Sequence, residues 1–462
     1  MQDLIAELTD ILGKARVLTG DQASEAAFSS WSRLGTPAAI VRPRSTAEVS
    51  AVVKCVQASG GAIVPWGGKT GLVDGADAQD AIALSLERMT GIEEIDVDGA
   101  TMTVQAGCTL QAAAEAAEAS GLLLPLDLGS RGTATIGGTI STNAGGNRVL
   151  RYGMMRDMVL GLEAVLADGT VVSALNPLIK NNTGYDIKQL FIGSEGTLGV
   201  VTRAVLRLRP LPASQNTAFM TVGRFEDLPR LLRRLERDLA GGLSAFEVMW
   251  PEFYDLVTTP PATGRPLLPP GAAFYVLVES LGGDQAEDAD RLERALGGAL
   301  EEGLIEDAVL AKSQSERRRM WALRDDVGQV SRDGPVFTFD VSLKISRMQG
   351  YLDALRQSLM SRWPTASLVV FGHLGDGNLH LIIGVGDRDA RGVVEDVVYG
   401  LIREVDGSIS AEHGIGLQKR DYLAWSRSAA EIGVMRALKN AMDPKGVLNP
   451  GKVLRPPLGL DA

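Results

Sequence analysis

An α+β protein of two or three domains is the fold this sequence predicts, on three observations. At 462 residues the chain is longer than one hydrophobic core ordinarily serves. Residues 38–205 alternate short β-rich runs with helical patterns and many glycines. Pro210-Leu211-Pro212 then marks a change of composition, and a strand–helix–strand pattern continues to about residue 400. The expected divisions are 1–212, 213–408 and a C-terminal helical segment, 409–462.

The elements follow in order. Residues 1–30 read as helical, beginning with an acidic amphipathic pattern through Leu4, Ile5, Leu8, Ile11 and Leu12. This start lacks the basic residues and small-residue cleavage site of a secretory signal, and a cytoplasmic location is expected. Ala38–Val41 reads as a strand, and a helix from Thr46 to Ser59 is expected with Thr46 as its N-cap. Strands are predicted at 62–65, 102–106, 161–166, 171–174 and 199–208, with Asp168-Gly169 as a hairpin turn. Helices are predicted over 228–239, 288–300 and 428–442, and the proline-rich stretch 259–270 reads as a surface loop.

Composition narrows the function. Hydrophobic residues make up 45% and charged residues 22%, the balance of a globular protein, and no apolar run is long enough to span a bilayer. A net charge of −11 argues against nucleic acid as partner, and the run Glu316-Arg317-Arg318-Arg319 reads as one solvated helix face. Cys55 and Cys108 are too few for a disulfide framework or a cysteine metal site.

Three glycine-rich loops each follow a β-rich run. The first holds Pro65, Gly67, Gly68, Lys69, Thr70, Gly71 and Leu72. The second holds Gly138, Ser141, Thr142, Asn143 and Gly145, and the third Glu195, Gly196, Gly199 and Val200. Glycine lets backbone N–H groups turn toward an anion and removes the Cβ that would block its approach, so loops of this kind suit a diphosphate-bearing cofactor. Taken singly, each loop reads equally as a tight turn. Gly68-Lys69-Thr70 imitates the end of a P-loop, but Ile63 stands where that motif needs its first glycine. No strand is followed by G-x-G-x-x-G, so a Rossmann nicotinamide site is unsupported.

The chain has three histidines, His373, His380 and His413, all within 41 residues. Two lie in Phe371-Gly-His-Leu-Gly-Asp-Gly-Asn-Leu-His and the third in Ser410-Ala-Glu-His-Gly-Ile-Gly. A strand–turn–strand path through Gly375 and Gly377 would bring His373 and His380 together, and Glu412 would complete a His-His-carboxylate set with open positions. Packed, hydrogen-bonded histidines are the competing reading, but the flanking glycines supply no hydrophobic packing. Nitrogen and carboxylate ligands suit zinc, manganese or iron.

Together the loops, the histidine motifs and the tail Asp443-Pro-Lys-Gly-Val-Leu-Asn-Pro-Gly-Lys resemble the FAD-linked oxidases of the vanillyl-alcohol oxidase type. The resemblance runs from about residue 35 to Leu454 and is nearest to the branch of D-2-hydroxyglutarate, D-lactate and glycolate dehydrogenases. It implies a two-subdomain FAD-binding domain of the PCMH type, an antiparallel-sheet substrate (cap) domain and a C-terminal helical segment. It implies FAD held by the three loops and by Asn449 in the tail, without a covalent bond, since the first loop contains neither histidine nor cysteine. It implies His373, His380 and Glu412 as ligands of a divalent metal such as zinc, His413 as catalytic base, and Arg324 as the clamp on a substrate carboxylate. The partners it implies are a small 2-hydroxy acid, an electron acceptor such as electron-transfer flavoprotein or a quinone, and a second copy in a homodimer.

Three positions depart from the hydroxyglutarate pattern: Gly328 replaces a threonine, Thr338 a lysine and Ile382 an asparagine. Each change removes a polar partner from a second carboxylate, so D-lactate or an acid with an aliphatic or aromatic tail is expected to fit at least as well. Two other readings keep some of the residues: a flavin oxidase that uses oxygen, and a flavin-free metal-dependent hydrolase, which leaves the glycine loops without a purpose.

Overall fold

The computed structural model describes residues 1–332 and 334–455, and the chain packs as two compact units. The first comprises Met1–Gly145, Met154–Leu211 and the chain from Glu412 onward; the second comprises Gly146–Gly153 and Pro212–Ala411.

Two larger sheets and a two-stranded ribbon of Leu122–Leu123 with Arg209–Pro210 build the first unit. A four-stranded sheet runs in the order Val17–Leu18, Ala39–Val41, Ile82–Ser85, Ile63–Trp66, and its last three strands are parallel. Every residue of Ile82–Ser85 is buried, as a parallel strand covered on both faces requires. The tail reaches this sheet too, because Ile63 exchanges hydrogen bonds of 2.7 Å with Val447 and Asn449. The second sheet is antiparallel, in the order Ile92–Asp96, Thr101–Gln105, Val200–Arg207, Val159–Val165, Val171–Ala174. Its last hairpin turns at Asp168-Gly169, where the Leu166 amide donates to Thr170.

Two expectations are corrected. Residues 1–30 are not one helical stretch: Gln2–Leu12 stops at Gly13 (φ 84°), Val17–Leu18 joins the four-stranded sheet, and a short helix Asp21–Ala26 follows. The helix Thr46–Ala58 is capped by Ser45, whose hydroxyl accepts from the Glu48 amide, and not by Thr46. The Thr46 hydroxyl instead donates to Glu163 at 2.6 Å. Val49, Val52, Val53 and Val56 form the buried stripe of this helix.

A seven-stranded antiparallel sheet builds the second unit, in the order Asp307–Leu310, Ser214–Val222, Phe274–Gly282, Leu243–Met249, Ser367–Gly372, Asn378–Gly384, Phe337–Ser342. Because side chains alternate faces, the register decides which residues share a surface. Glu247 lies opposite Leu277, Met249 opposite Phe371, Phe371 opposite His380, and His380 opposite Asp340. Glu247, Phe371, His380 and Asp340 therefore project from one face. Helices Pro251–Thr258 and Gln314–Asp325 pack on this face through a core containing Phe253, Tyr254, Val257, Met320 and Leu323, with Tyr254 stacked on Tyr275 at 3.6 Å. Among the described residues no helix is long and apolar enough to cross a membrane.

Removing the Ser45 hydroxyl orphans an amide at the start of a buried helix, so Ser45→Ala should lower the unfolding free energy by about 1 kcal/mol. Urea denaturation followed by circular dichroism checks this; an unchanged midpoint would mean that Ser45 is not the cap.

Candidate functional site

In the first unit one cleft collects the glycine-rich loops. It is lined by Pro65, Gly67, Gly68, Lys69, Thr70, Gly71 and Leu72, by Gly138, Ser141, Thr142 and Gly145, and by Glu195, Gly196, Gly199, Val200 and Asn449. Asn143 stands apart from that lining: in the left-handed conformation (φ 50°) it ends the helix Ile136–Thr142, and its Oδ1 accepts from the Arg156 amide. The cleft wall needs glycine at position 68, because a Cβ there would sit 1.9 Å from the Thr133 carbonyl oxygen. Lys69 lines the cleft, but its ammonium donates to the Ala26 carbonyl at 2.9 Å. Sequence reasoning missed the segment Leu128, Gly129 and Ser130, along with Thr135, which caps the helix Ile136–Thr142. Gly129 beside a serine was the available signal.

Glu412 and His413 line the same cleft. They precede a turn that one buried carboxylate holds: Glu195 accepts from the Ile415 amide at 2.7 Å and the Gly416 amide at 2.8 Å. Burial pushes the Glu195 carboxyl above its ordinary value, against the pull of those two amides. Asn449 fixes the backbone of the same loop, donating to the carbonyls of Glu195 (2.7 Å) and Gly75 (3.1 Å). Glu195 and Asn449, themselves part of the cleft lining, thus fix the loops around it.

In the second unit the strand–turn–strand path closes as a hairpin between Ser367–Gly372 and Asn378–Gly384. Gly377 (φ 88°) supplies its left-handed residue. The hairpin sets the rings of His373 and His380 edge to face, 5.3 Å between centroids. The buried carboxylate of Glu247 lies 2.7 Å from His373 Nδ1 and accepts from Arg324 Nε, also at 2.7 Å. Arg324 Nη2 lies 3.3 Å from His373 Nε2, a contact that suits an Nε2 lone pair and places the ring proton on Nδ1. Burial alone would raise the Glu247 carboxyl, but His373 and Arg324 outweigh it and hold it below the usual range. The Arg324 guanidinium also lies over the Phe371 ring, 4.9 Å from its centroid.

His380 Nδ1 is 3.9 Å from Asp340, whose carboxylate also accepts from Asn378 Nδ2 (2.7 Å) and the Ala411 amide (3.1 Å). His373 therefore has a buried carboxylate hydrogen-bonded at its Nδ1, the usual support for a metal-binding imidazole, whereas at His380 the Asp340 carboxylate stands beyond hydrogen-bond reach. Neither Glu247 nor Asp340 was singled out in the sequence, since neither lies near a histidine along the chain. Thr338 lies opposite Ile382 in the sheet; Thr338 is exposed and Ile382 buried. Gly328 lies in the short 3-10 helix Val327–Ser331.

Two substitutions test this arrangement. Glu247→Gln leaves the Arg324 charge buried without its counter-ion and should destabilise the second unit by about 3–5 kcal/mol, read by urea denaturation; a loss below about 1 kcal/mol would mean that the pair is not organising the site. Gly68→Val should abolish retention of a flavin through gel filtration, read as the ratio of visible to ultraviolet absorbance, and full retention would remove the cleft as the cofactor site.

Comparison with known proteins follows the same division. Residues 37–174 match the family model described as FAD binding domain, and residues 211–453 match FAD linked oxidases, C-terminal domain. A D-2-hydroxyglutarate dehydrogenase of Bos taurus, named mitochondrial, is 41% identical over 98% of this chain and 84% of its own length. The mitochondrial enzyme of Arabidopsis thaliana is 37% identical over 97% of this chain and 81% of its own length, and the Xanthomonas citri pv. viticola D-2-hydroxyglutarate dehydrogenase 38% over 92% and 91%. Among solved structures, p-cresol methylhydroxylase superposes with a TM-score of 0.78 at 16% identity, covering 98% of this chain and 97% of its own. An alkyldihydroxyacetonephosphate synthase gives 0.75 at 17%, over 97% and 86%. The names of the cattle and Arabidopsis relatives overturn the expected cytoplasmic location and point to mitochondria. That expectation rested on the composition of the first residues, which carries no positive mark of any compartment. With both its FAD-binding and C-terminal parts matched, this chain belongs to the FAD-linked oxidases of the vanillyl-alcohol oxidase type, in the branch of FAD-dependent D-2-hydroxyacid dehydrogenases.

Proposed function

We propose that the chain oxidises a D-2-hydroxy acid to the 2-oxo acid, with His413 as the base that takes the hydroxyl proton. One observation carries this reading: His413 lines the cleft formed by the glycine-rich loops of the FAD-binding part. In the same reading Arg324 binds the C1 carboxylate. Its Nε is committed to Glu247 and its Nη2 faces His373 Nε2, which fixes the plane of the guanidinium and leaves the remaining N–H groups to donate. His373, His380 and Glu412 hold a divalent ion, taken to be zinc. The donor chemistry supports this: Glu247 holds His373 at Nδ1, Asp340 stands 3.9 Å from His380 Nδ1, and Ala411, next in chain to Glu412, donates its amide to Asp340; an ion at His373 Nε2 would replace the contact with Arg324 Nη2. FAD is bound without a covalent link, as the cysteines Cys55 and Cys108 are both buried and neither lines the cleft.

When bound, the flavin supplies an acceptor for the C2 hydride and the divalent ion a Lewis acid for the substrate hydroxyl. The protein's own residues do the rest. Arg324 orients the acid by its carboxylate, and an imidazole nitrogen of His413 receives the hydroxyl proton as the C2–H bond breaks. The two electrons leave with the hydride, and electron-transfer flavoprotein or a quinone takes them in a later step. A homodimer is the proposed assembly. A metal-dependent hydrolase would leave the FAD binding domain without a role.

An anaerobic visible spectrum of the purified enzyme tests the reaction. The flavin band should bleach with a D-2-hydroxy acid and persist with its L-enantiomer; bleaching by neither overturns the reading. His413→Asn should keep the flavin spectrum while slowing bleaching by about 10²–10⁴-fold. A variant that bleaches at the native rate would remove His413 as the base.

A further inference from the structure

We propose that the second unit contains a chamber for an apolar substrate tail, so that the preferred substrate is a D-2-hydroxy acid carrying an alkyl or aryl group of several carbons. This rests on the assignment of Arg324 and His380 to the acid's head. Side chains on one face of a strand recur every second residue, so Ile382 follows His380 on the same surface, about 7 Å further along. Val369 lies directly opposite Ile382 on the neighbouring strand, two residues from Phe371. Phe371 itself packs against both the Arg324 guanidinium and the His380 ring.

A cavity of about 530 Å³ begins at that pair, within the range of about 300–1,000 Å³ typical of small-molecule sites. Its lining includes Ile382, Val369, Val336, Val330, Leu256 and Met360. The cationic group in that lining is Arg356, and it is bonded to Glu252 at 2.8 Å on the exposed rim. A tail carboxylate entering here would meet aliphatic side chains, the exposed hydroxyls of Thr365 and Ser367, and a carboxylate whose counter-charge is already engaged, and would lose water with no unengaged cation in the described lining to receive it. A methylene chain loses nothing by the same move. The methyl of lactate, held at the head by Arg324, is too short to reach Ile382 and leaves the chamber empty.

Anaerobic stopped-flow reduction of the holoenzyme's flavin by a series of D-2-hydroxy acids with three, four, six and eight carbons tests the proposal, with D-3-phenyllactate and D-2-hydroxyglutarate alongside. The second-order rate constant should rise about fourfold per added methylene, equivalent to about 0.8 kcal/mol each, and D-2-hydroxyglutarate should fall below the six-carbon monocarboxylate. Val330→Trp and, independently, Met360→Trp fill the chamber from half-buried and exposed positions where folding tolerates a larger side chain. In whichever variant retains flavin, the rise with chain length should flatten to within about threefold across the series. A flat native series, or hydroxyglutarate faster than every monocarboxylate, overturns the chamber while leaving D-2-hydroxy acid oxidation intact. So does a rise that persists undiminished in both filled variants. Failure of every D-acid to bleach the flavin overturns the chamber and the reaction together.

Discussion

Taking the Glu247 carboxylate out of water costs several kcal/mol unless its charge is met, and the arrangement of the second unit follows from how it is met. One oxygen faces His373 Nδ1 and the other accepts from Arg324 Nε, each at 2.7 Å. The first contact suits the imidazole tautomer whose Nε2 faces Arg324 Nη2. The second locks the guanidinium in one orientation over Phe371. A single buried charge on the strand Leu243–Met249 thus aligns a helix residue and a turn residue, which otherwise have several rotamers each.

The first unit solves a similar problem with Glu195. There the compensating groups are backbone amides, and the result is a fixed turn after His413 in place of a fixed side chain. In both units a carboxylate holds a neighbouring segment in place through short hydrogen bonds. Substituting either carboxylate is therefore expected to act on folding and geometry together.

The two units also differ in what they offer a ligand. The cleft of the first is walled by glycine, serine and threonine, so that backbone comes close and polar groups are in reach. The cavity of the second is lined by Ile382, Val369 and other aliphatic side chains together with Thr365, Ser367 and the paired Arg356 and Glu252.

Much of this was legible along the chain because its signals are local. The glycine loops, the crowding of three histidines into 41 residues and the turn between His373 and His380 all rest on short spacings; the structure closes that turn as a hairpin and gathers the loop residues in one cleft, Asn143 excepted. Glu247 is 126 residues from His373, and only the antiparallel register puts it on the face of Phe371 and His380. The N-cap shows the same limit: Ser45 and Thr46 are both capping residue types, and the choice fell to Glu163, 117 residues from Thr46, which takes the threonine hydroxyl. By itself the sequence determined which chemical groups are present and which short segments carry them. Only the tertiary structure decided which carboxylate supports which of them, because hydrogen bonds between strands pair residues by register and not by distance along the chain.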